Sequence, residues 1–302
     1  MKSLNHAILL LSLWVAGAFL PAAVMAQGRN AEEAENVSAI LNSLNWVRGP
    51  QRVNVGPVAT FDVPKGFLFL DAKDTRVLLE KVLQSPPGKQ KYFFGPENQG
   101  WWATFEYSES GHVKDDEKID ADALIETLRK NLDESNKERA RKGWPELLNL
   151  GWKQPPFYDP KTRRLEWALS FVNSSDRQEV VNYEIRLLGR AGDTSANLVV
   201  LPERLPKALP EFKRVVGGYK FVPDQQYDAF REGDKVAEYS LATLIAGDNA
   251  AAPPAESSAD SGFLAEYGKL IVSVVSVVFV ALAALAVLGV FLKRFSGRGK
   301  AE

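Results

Sequence analysis

Two unbroken apolar runs, one near each end, bracket a middle section in which apolar and polar residues recur at short periods. Within that section Val37, Ile40, Leu41 and Leu44 keep helical spacing and predict a helix over 31–45. Gly49-Pro50 ends the rhythm, and RVNV, VATFDV and FLFL then read as short strands separated by Gly56-Pro57 and Pro64-Lys65-Gly66. A second helix is predicted over 75–84, capped by Asp74, with Leu78, Leu79, Val82 and Leu83 on one stripe. Ser85-Pro86-Pro87-Gly88 stops it.

Residues 101–108, WWATFEYS, alternate strictly. Trp101, Ala103, Phe105 and Tyr107 share one face of a strand, and Trp102, Thr104, Glu106 and Ser108 the other. The strongest helix signal follows: Asp120 as cap, Asp122 near the positive end of the dipole, and a stripe of Ala121, Leu124, Ile125, Leu128 and Leu132. Arg139, Arg141 and Lys142, then Gly143, Trp144 and Pro145, make a consistent stop.

Leu165, Trp167, Leu169 and Phe171 alternate with polar residues, as do Val181, Tyr183, Ile185 and Leu187, and the polar NSSDRQ between them predicts an antiparallel hairpin. If both apolar sets face one core, paired residue numbers sum to an even value, with Glu166 opposite Arg186 (a sum of 352) as the preferred register. SANLVVLP extends the meander, and helices are expected near 203–216 and 235–246. No repeated β-α-β rhythm appears, so the fold class predicted is α+β: an antiparallel sheet covered by helices, plus one C-terminal transmembrane helix.

The end runs have different expected fates. Lys2, the apolar stretch Ala7–Leu20 and the small-residue exit Val24-Met25-Ala26 predict a signal peptide over 1–26. Residues 270–292 hold 23 positions without a charge, about 34 Å of helix at 1.5 Å per residue and enough to cross a bilayer core. Lys293, Arg294, Arg298 and Lys300 follow it, which places a basic tail, 293–302, in the cytoplasm. Both signals put an extracytoplasmic globular domain, 27–247, outside. Between it and the bilayer, 248–269 (opening DNAAAPPAESSADSG) has too little apolar bulk to fold and reads as a flexible tether. A single apolar helix points to the inner membrane, with the main domain periplasmic.

Composition narrows the chemistry. With Lys2 and the charges beyond 269 set aside, the outer segment is mildly acidic, at −5, which gives no general attraction for nucleic acid. There is no cysteine, so disulfides, thiolate metal sites and thiol nucleophiles are excluded. Of the two histidines, His6 lies in the signal peptide and His112 stands alone, so a multi-histidine metal site is excluded. Asp115, Asp116, Glu117, Asp120 and Asp122 crowd together but lack the spacing of a calcium loop; capping and a solvated turn account for them. No cofactor is expected. Five tryptophans, Trp46, Trp101, Trp144, Trp152 and Trp167, are expected in apolar packing. Trp102, on the polar face, is instead a candidate contact residue. With Glu166, Asn182, Glu184 and Arg186 it forms the candidate interaction face.

Five ordered blocks, EYSESGHVKDDEKIDADAL, NKERARKGWPEL, LGWKQPPFYDPKTRRLEWAL, NYEIRLLGRAG and DKVAEYSLATLIAG, resemble a bacterial family of uncharacterised membrane-anchored proteins that carries a domain of unknown function. The resemblance covers 45–247 and implies a signal-bearing, membrane-tethered envelope domain; it implies no reaction. The chain departs from that pattern at His112, where the family has tyrosine, and at Arg163, where it has histidine.

The expected function is therefore that of a noncatalytic envelope protein. It contacts the lipid bilayer through 270–292 and an envelope protein or cell-wall component through its outer domain. Two other classes stay open: a carboxylate-based hydrolase acting on envelope polymers, and a structural subunit of a membrane complex.

Overall fold

The computed structural model describes residues 31–82, 91–98, 101–141, 145–175 and 177–246. It opens with α1 (Ala31–Ser43), followed by strands β1 (Val47–Arg48), β2 (Gln51–Val55), β3 (Ala59–Val63) and β4 (Phe67–Leu70). Helix α2 (Ala72–Val77) runs on as a π-helical turn, Leu78–Val82. Then come β5 (Lys91–Pro96), β6 (Trp102–Ser108), α3 (Ala121–Arg141), β7 (Leu147–Asp159), β8 (Arg164–Asn173), β9 (Glu179–Leu188) and β10 (Asp193–Val200). Helix α4 (Leu205–Val216), β11 (Tyr219–Phe221), two 3-10 turns (Pro223–Gln225 and Tyr227–Ala229) and α5 (Leu241–Ala246) complete it. The large sheet has the order β1-β4-β5-β6-β10-β9-β8-β7, and every pairing is antiparallel. A second antiparallel sheet has the order β11-β3-β2. The α+β class with a large antiparallel sheet is thus observed.

Both faces of the large sheet are covered. On the first face Phe94, Phe105, Tyr183 and Ile185 pack against Phe212 and Val216 of α4 and Phe61 of the small sheet. Phe94 and Phe105 stack at 4.3 Å, and burial of each such ring contributes about 1.5–3 kcal/mol. The second face carries two separate apolar clusters. One joins Leu41 of α1 and Leu78 of the π turn to Phe93, Trp102 and Phe171. The other joins Leu124 and Leu128 of α3 and Leu241 of α5 to Leu165, Trp167 and Leu188.

This double cover corrects the hairpin register. Leu165 lies opposite Arg186 and Glu166 opposite Ile185, one residue away from the expected pairing. A one-residue slip moves a whole strand to the other face. Here Leu165 and Trp167 have an apolar cover of their own, so nothing forces them onto the side of Tyr183 and Ile185. Glu166 is therefore parted from Asn182, Glu184 and Arg186. Trp102 is buried for the same reason: the face expected to be polar holds the α1 cluster, and Trp102 stacks on Phe93 at 6.0 Å.

Three further elements differ from expectation. The cap of α2 is Asp71, whose side chain accepts from the Asp74 N–H; Asp74 sits inside the helix and takes hydrogen bonds from the Asn45 backbone and amide. Strand β7 spans Pro155-Pro156, which an edge strand with register shifts tolerates because no ladder donor is needed there. The last helix starts only at Leu241, because Val236 is taken up by a parallel bridge to His112. Among the described residues no helix is long and apolar enough to cross a membrane. The segments 1–26, 248–269, 270–292 and 293–302 lie outside the described residues, as do the helix-stop residues 142–144.

Candidate functional site

Asn182, Glu184 and Arg186 alternate on β9 on the second face, away from Tyr183 and Ile185, where they meet Asp193, Ser195 and Asn197 of β10 across the ladder. Arg186 donates to Asp193 at 2.8 Å, and its Nε lies 3.0 Å from Glu184 without the alignment of a hydrogen bond. Glu184 accepts from Ser195 and, at 2.6 Å, from Asn197, which also donates to Asn182 at 2.5 Å. Lys91 and Glu106, 3.3 Å apart, continue the strip onto β5 and β6. Burial works against the Arg186 charge, but Asp193 and Glu184 outweigh it and raise its pKa. Four of the five residues of the expected interaction face are thus on this side, three in a closed ion-pair ladder and Trp102 in the core. The fifth, Glu166, is on the opposite face, bound to Lys213 of α4 at 2.6 Å and to the Tyr183 hydroxyl at 2.7 Å.

A different cluster forms where the β7-β8 turn meets the segment after β11. Asp159 accepts from the Lys161 N–H and the Thr162 hydroxyl, which fixes the turn and leaves Arg163 at φ 54, a left-handed conformation costly for a side chain this large. The Leu188 N–H holds the Arg163 carbonyl at 3.0 Å. One arm of the guanidinium donates to Asp115 at 2.5 Å; another donates to Asp228 at 3.0 Å. Its plane lies 4.6 Å from the centre of the Tyr227 ring. Tyr158 donates to the same Asp115 oxygen at 2.5 Å, and Tyr227 donates to the Val113 carbonyl at 2.8 Å. His112 lies 4.2 Å from both Tyr227 and Phe230, its Nδ1 buried without a partner. His112 and Arg163 both lie against the Tyr227 ring.

The electrostatics of this cluster are one-directional. Burial opposes ionisation of Asp115, but the hydrogen bond from Tyr158, the nearby Tyr227 hydroxyl and the Arg163 charge outweigh it, so its carboxyl titrates below the usual range. Burial, then Asp115, pushes the phenols of Tyr158 and Tyr227 up. The tie to Tyr158, then Asp228 and Asp115, raises Arg163. Desolvation lowers His112 against the pull of the Arg190 backbone, Asp115 and Asp234. Asp234, gripped by Arg190 at 2.7 Å, is held down to about 2.

Beside the cluster lies an open concavity of about 530 Å³, walled by Arg163, Lys220, Asp228, Thr60, Phe221 and Leu188. That volume suits a small ligand or one side chain group of a larger partner. Arg163 lines it, anchored by Asp115 behind, with side chains 32% and 22% exposed, whereas Asp228 on the lining is 81% exposed. The acidic run of 115–122 dissolves into separate tasks: Asp115 serves this cluster, Glu117 accepts from the Ala242 N–H of α5, and Asp120 caps α3. Among the described residues no group of His, Asp and Glu is arranged to hold a metal ion. Arg163 is the residue that periodicity passes over; the signal available was the Asp159-Pro160-Lys161-Thr162 turn, which ends on it.

The model of a family described as "Protein of unknown function (DUF2167)" matches residues 47–283. No protein of curated description matches the chain. Among solved structures, the chain is similar to the solution structure of cyanobacterial PsbP (CyanoP) from Synechocystis sp. PCC 6803, at 14% identity and a TM-score of 0.32, over 57% of this chain and 92% of that one. A likeness of that size establishes no common function.

Proposed function

We propose a function for this chain, which belongs to the DUF2167 family of proteins of unknown function, from the geometry of its site: it is a noncatalytic binding domain, and its partner sits in the concavity beside Arg163. The observation that carries this reading is geometric: Asp115 anchors the Arg163 guanidinium, which lines that concavity, and the shifts in the cluster behind it agree. General acid–base catalysis needs a group that titrates near the working pH. Asp115 and His112 are driven down, and Tyr158, Tyr227 and Arg163 are driven up, so each is held in one protonation state at neutral pH. Fixed charges recognise a partner well and shuttle protons poorly.

In the same reading the domain stands outside the cytoplasm of a bacterial cell, tethered by 248–269 to a bilayer span at 270–292 with the basic tail inside. The uncharged stretch and the cations after it support this, as does a family pattern that runs on to residue 283. A photo-crosslinking residue at Asp228, on the rim, is expected to capture an envelope partner in membranes. The same residue at Glu134, exposed on α3 at a distance from the site, is expected to capture none. Equal capture from both positions, or none from either, would remove the concavity as the binding site. Cleavage of a tag placed after Glu302 by protease added from outside would remove the topology.

A further inference from the structure

Resting on that reading, we infer that the concavity receives an oxyanion, carboxylate or phosphate, and that Asp228 is its internal placeholder on Arg163. The two arms of Arg163 are held very differently. Asp115 is enclosed, accepts from Tyr158 as well as Arg163, and fixes the guanidinium from behind. Asp228 sits on the other arm at 3.0 Å but is 81% exposed on a one-turn 3-10 segment, so it contributes no more than an ordinary surface ion pair. An anchored guanidinium whose outer arm carries a loosely held carboxylate is preorganised for an incoming anion, because the cost of orienting the arginine has already been met in the fold.

A second cation lines the same concavity. Lys220 of β11 lies opposite Thr60 of β3, so its ammonium and the Thr60 hydroxyl flank the same wall. The nearby Asp62 has Arg52 as its direct partner. Of the remaining lining, Leu188, Phe221, Val222 and Pro223 are apolar and Tyr227 aromatic, with Thr162 and Gln226 the polar exceptions. The class of ligand that fits both halves is an organic molecule, or an exposed group of a larger partner, that joins an oxyanion to an apolar or aromatic portion.

The test uses the full chain in lipid nanodiscs, with empty nanodiscs as blank, titrated calorimetrically with phenylacetate, phenyl phosphate and the neutral benzyl alcohol. Both anions are expected to bind and the alcohol to bind at least tenfold more weakly, about the worth of one charge-assisted hydrogen bond. Asp228→Asn is expected to tighten the anions about two- to fivefold by removing the placeholder. Arg163→Gln is expected to abolish anion binding, and Lys220→Met, on an exposed strand position that leaves the fold alone, to weaken it severalfold. The ratio of phenyl phosphate to phenylacetate affinity tells which oxyanion is preferred. Benzyl alcohol binding as tightly as the anions, or Asp228→Asn failing to tighten them, overturns the inference while leaving a binding concavity in place. Failure of both anions to bind, with Asp228 crosslinks still forming in membranes, overturns it equally and leaves the reading of the site intact.

Discussion

The strip Lys91-Glu106-Arg186-Glu184-Asp193 lies within the large sheet and the cluster Asp115-Arg163-Asp228 in the loops at its end; both pair arginine with carboxylates, yet they are built to opposite ends. In the strip, Arg186 is enclosed by Asp193, whose side chain is fully buried, and by Glu184, 9% exposed, with Ser195 and Asn197 occupying the carboxylate behind them. In the cluster, Arg163 is closed on one side only. Arg186 itself keeps 23% of its side chain exposed, but it is held between two enclosed carboxylates of the same ladder, and such a charge specifies how two strands lie together, because any other register would strand its partners. A charge closed on one side and open on the other leaves its second arm for something that is not part of the chain. The polar residues that alternate most visibly in sequence therefore serve the fold, and the site lies with residues that do not alternate at all.

The comparison breaks most sharply at Asp193. Asp193→Ala leaves Arg186, 23% exposed, with Glu184 as its remaining partner and is expected to cost about 3 kcal/mol in urea unfolding, the low end for a broken buried pair. Anion binding at the concavity should be unchanged wherever the variant is folded. A loss below about 1 kcal/mol, within the range of a surface ion pair, would mean the strip is not structural. Asp115→Asn sharpens the other half. It keeps the side chain's size but removes the charge that anchors Arg163 and receives Tyr158, at an expected cost of roughly 1.5–3 kcal/mol. Unlike Asp193→Ala, it should also weaken anion binding, since the guanidinium loses its fixed rear support. Equal effects of the two substitutions on binding would erase the distinction between strip and site.

How much of this was legible in the sequence depended on whether one element carried its own signal. Helix α3 was legible from Asp120, which caps it, through the stripe that packs Leu124, Ile125 and Leu128 into the core. The alternation of Trp101, Ala103 and Phe105 gave their common face correctly. The β8-β9 register was not legible, because alternation reports a face only when the other face meets water, and here Leu165 and Tyr183 are buried on opposite sides. Pro155-Pro156 hid β7, since nothing local marks a strand as an edge. The site was illegible for a deeper reason. Asp115, Tyr158, Arg163 and Asp228 come from three separate stretches, and the contacts that shift their ionisation are 43 to 65 residues apart along the chain. No periodicity spans such distances.

The smallest expected effect concerns His112, which closes the back of the same cluster between Tyr227 and Phe230. Its folded-state pKa is lowered, so the neutral ring is the form that folds. The unfolded chain, where the ring titrates near 6.5, takes up the proton first as pH falls. The stability due to this residue is thus fully present above about pH 6.5 and declines as pH drops from there through the folded value, after which it levels off. Asp115 and Asp234, both depressed, lose their contributions only below the ordinary aspartate value of 3.8, so the two windows separate. His112→Phe keeps a ring between Tyr227 and Phe230 but cannot titrate. Urea unfolding followed from pH 7.5 to 4.5 should slope downward in the parent chain and run flatter in the variant. The charged groups that face the ring from neighbouring segments, Asp115, Asp234 and Arg163, stay in one state across that window. A slope that survives His112→Phe unchanged would place the titrating group elsewhere and leave the ring with packing as its whole contribution.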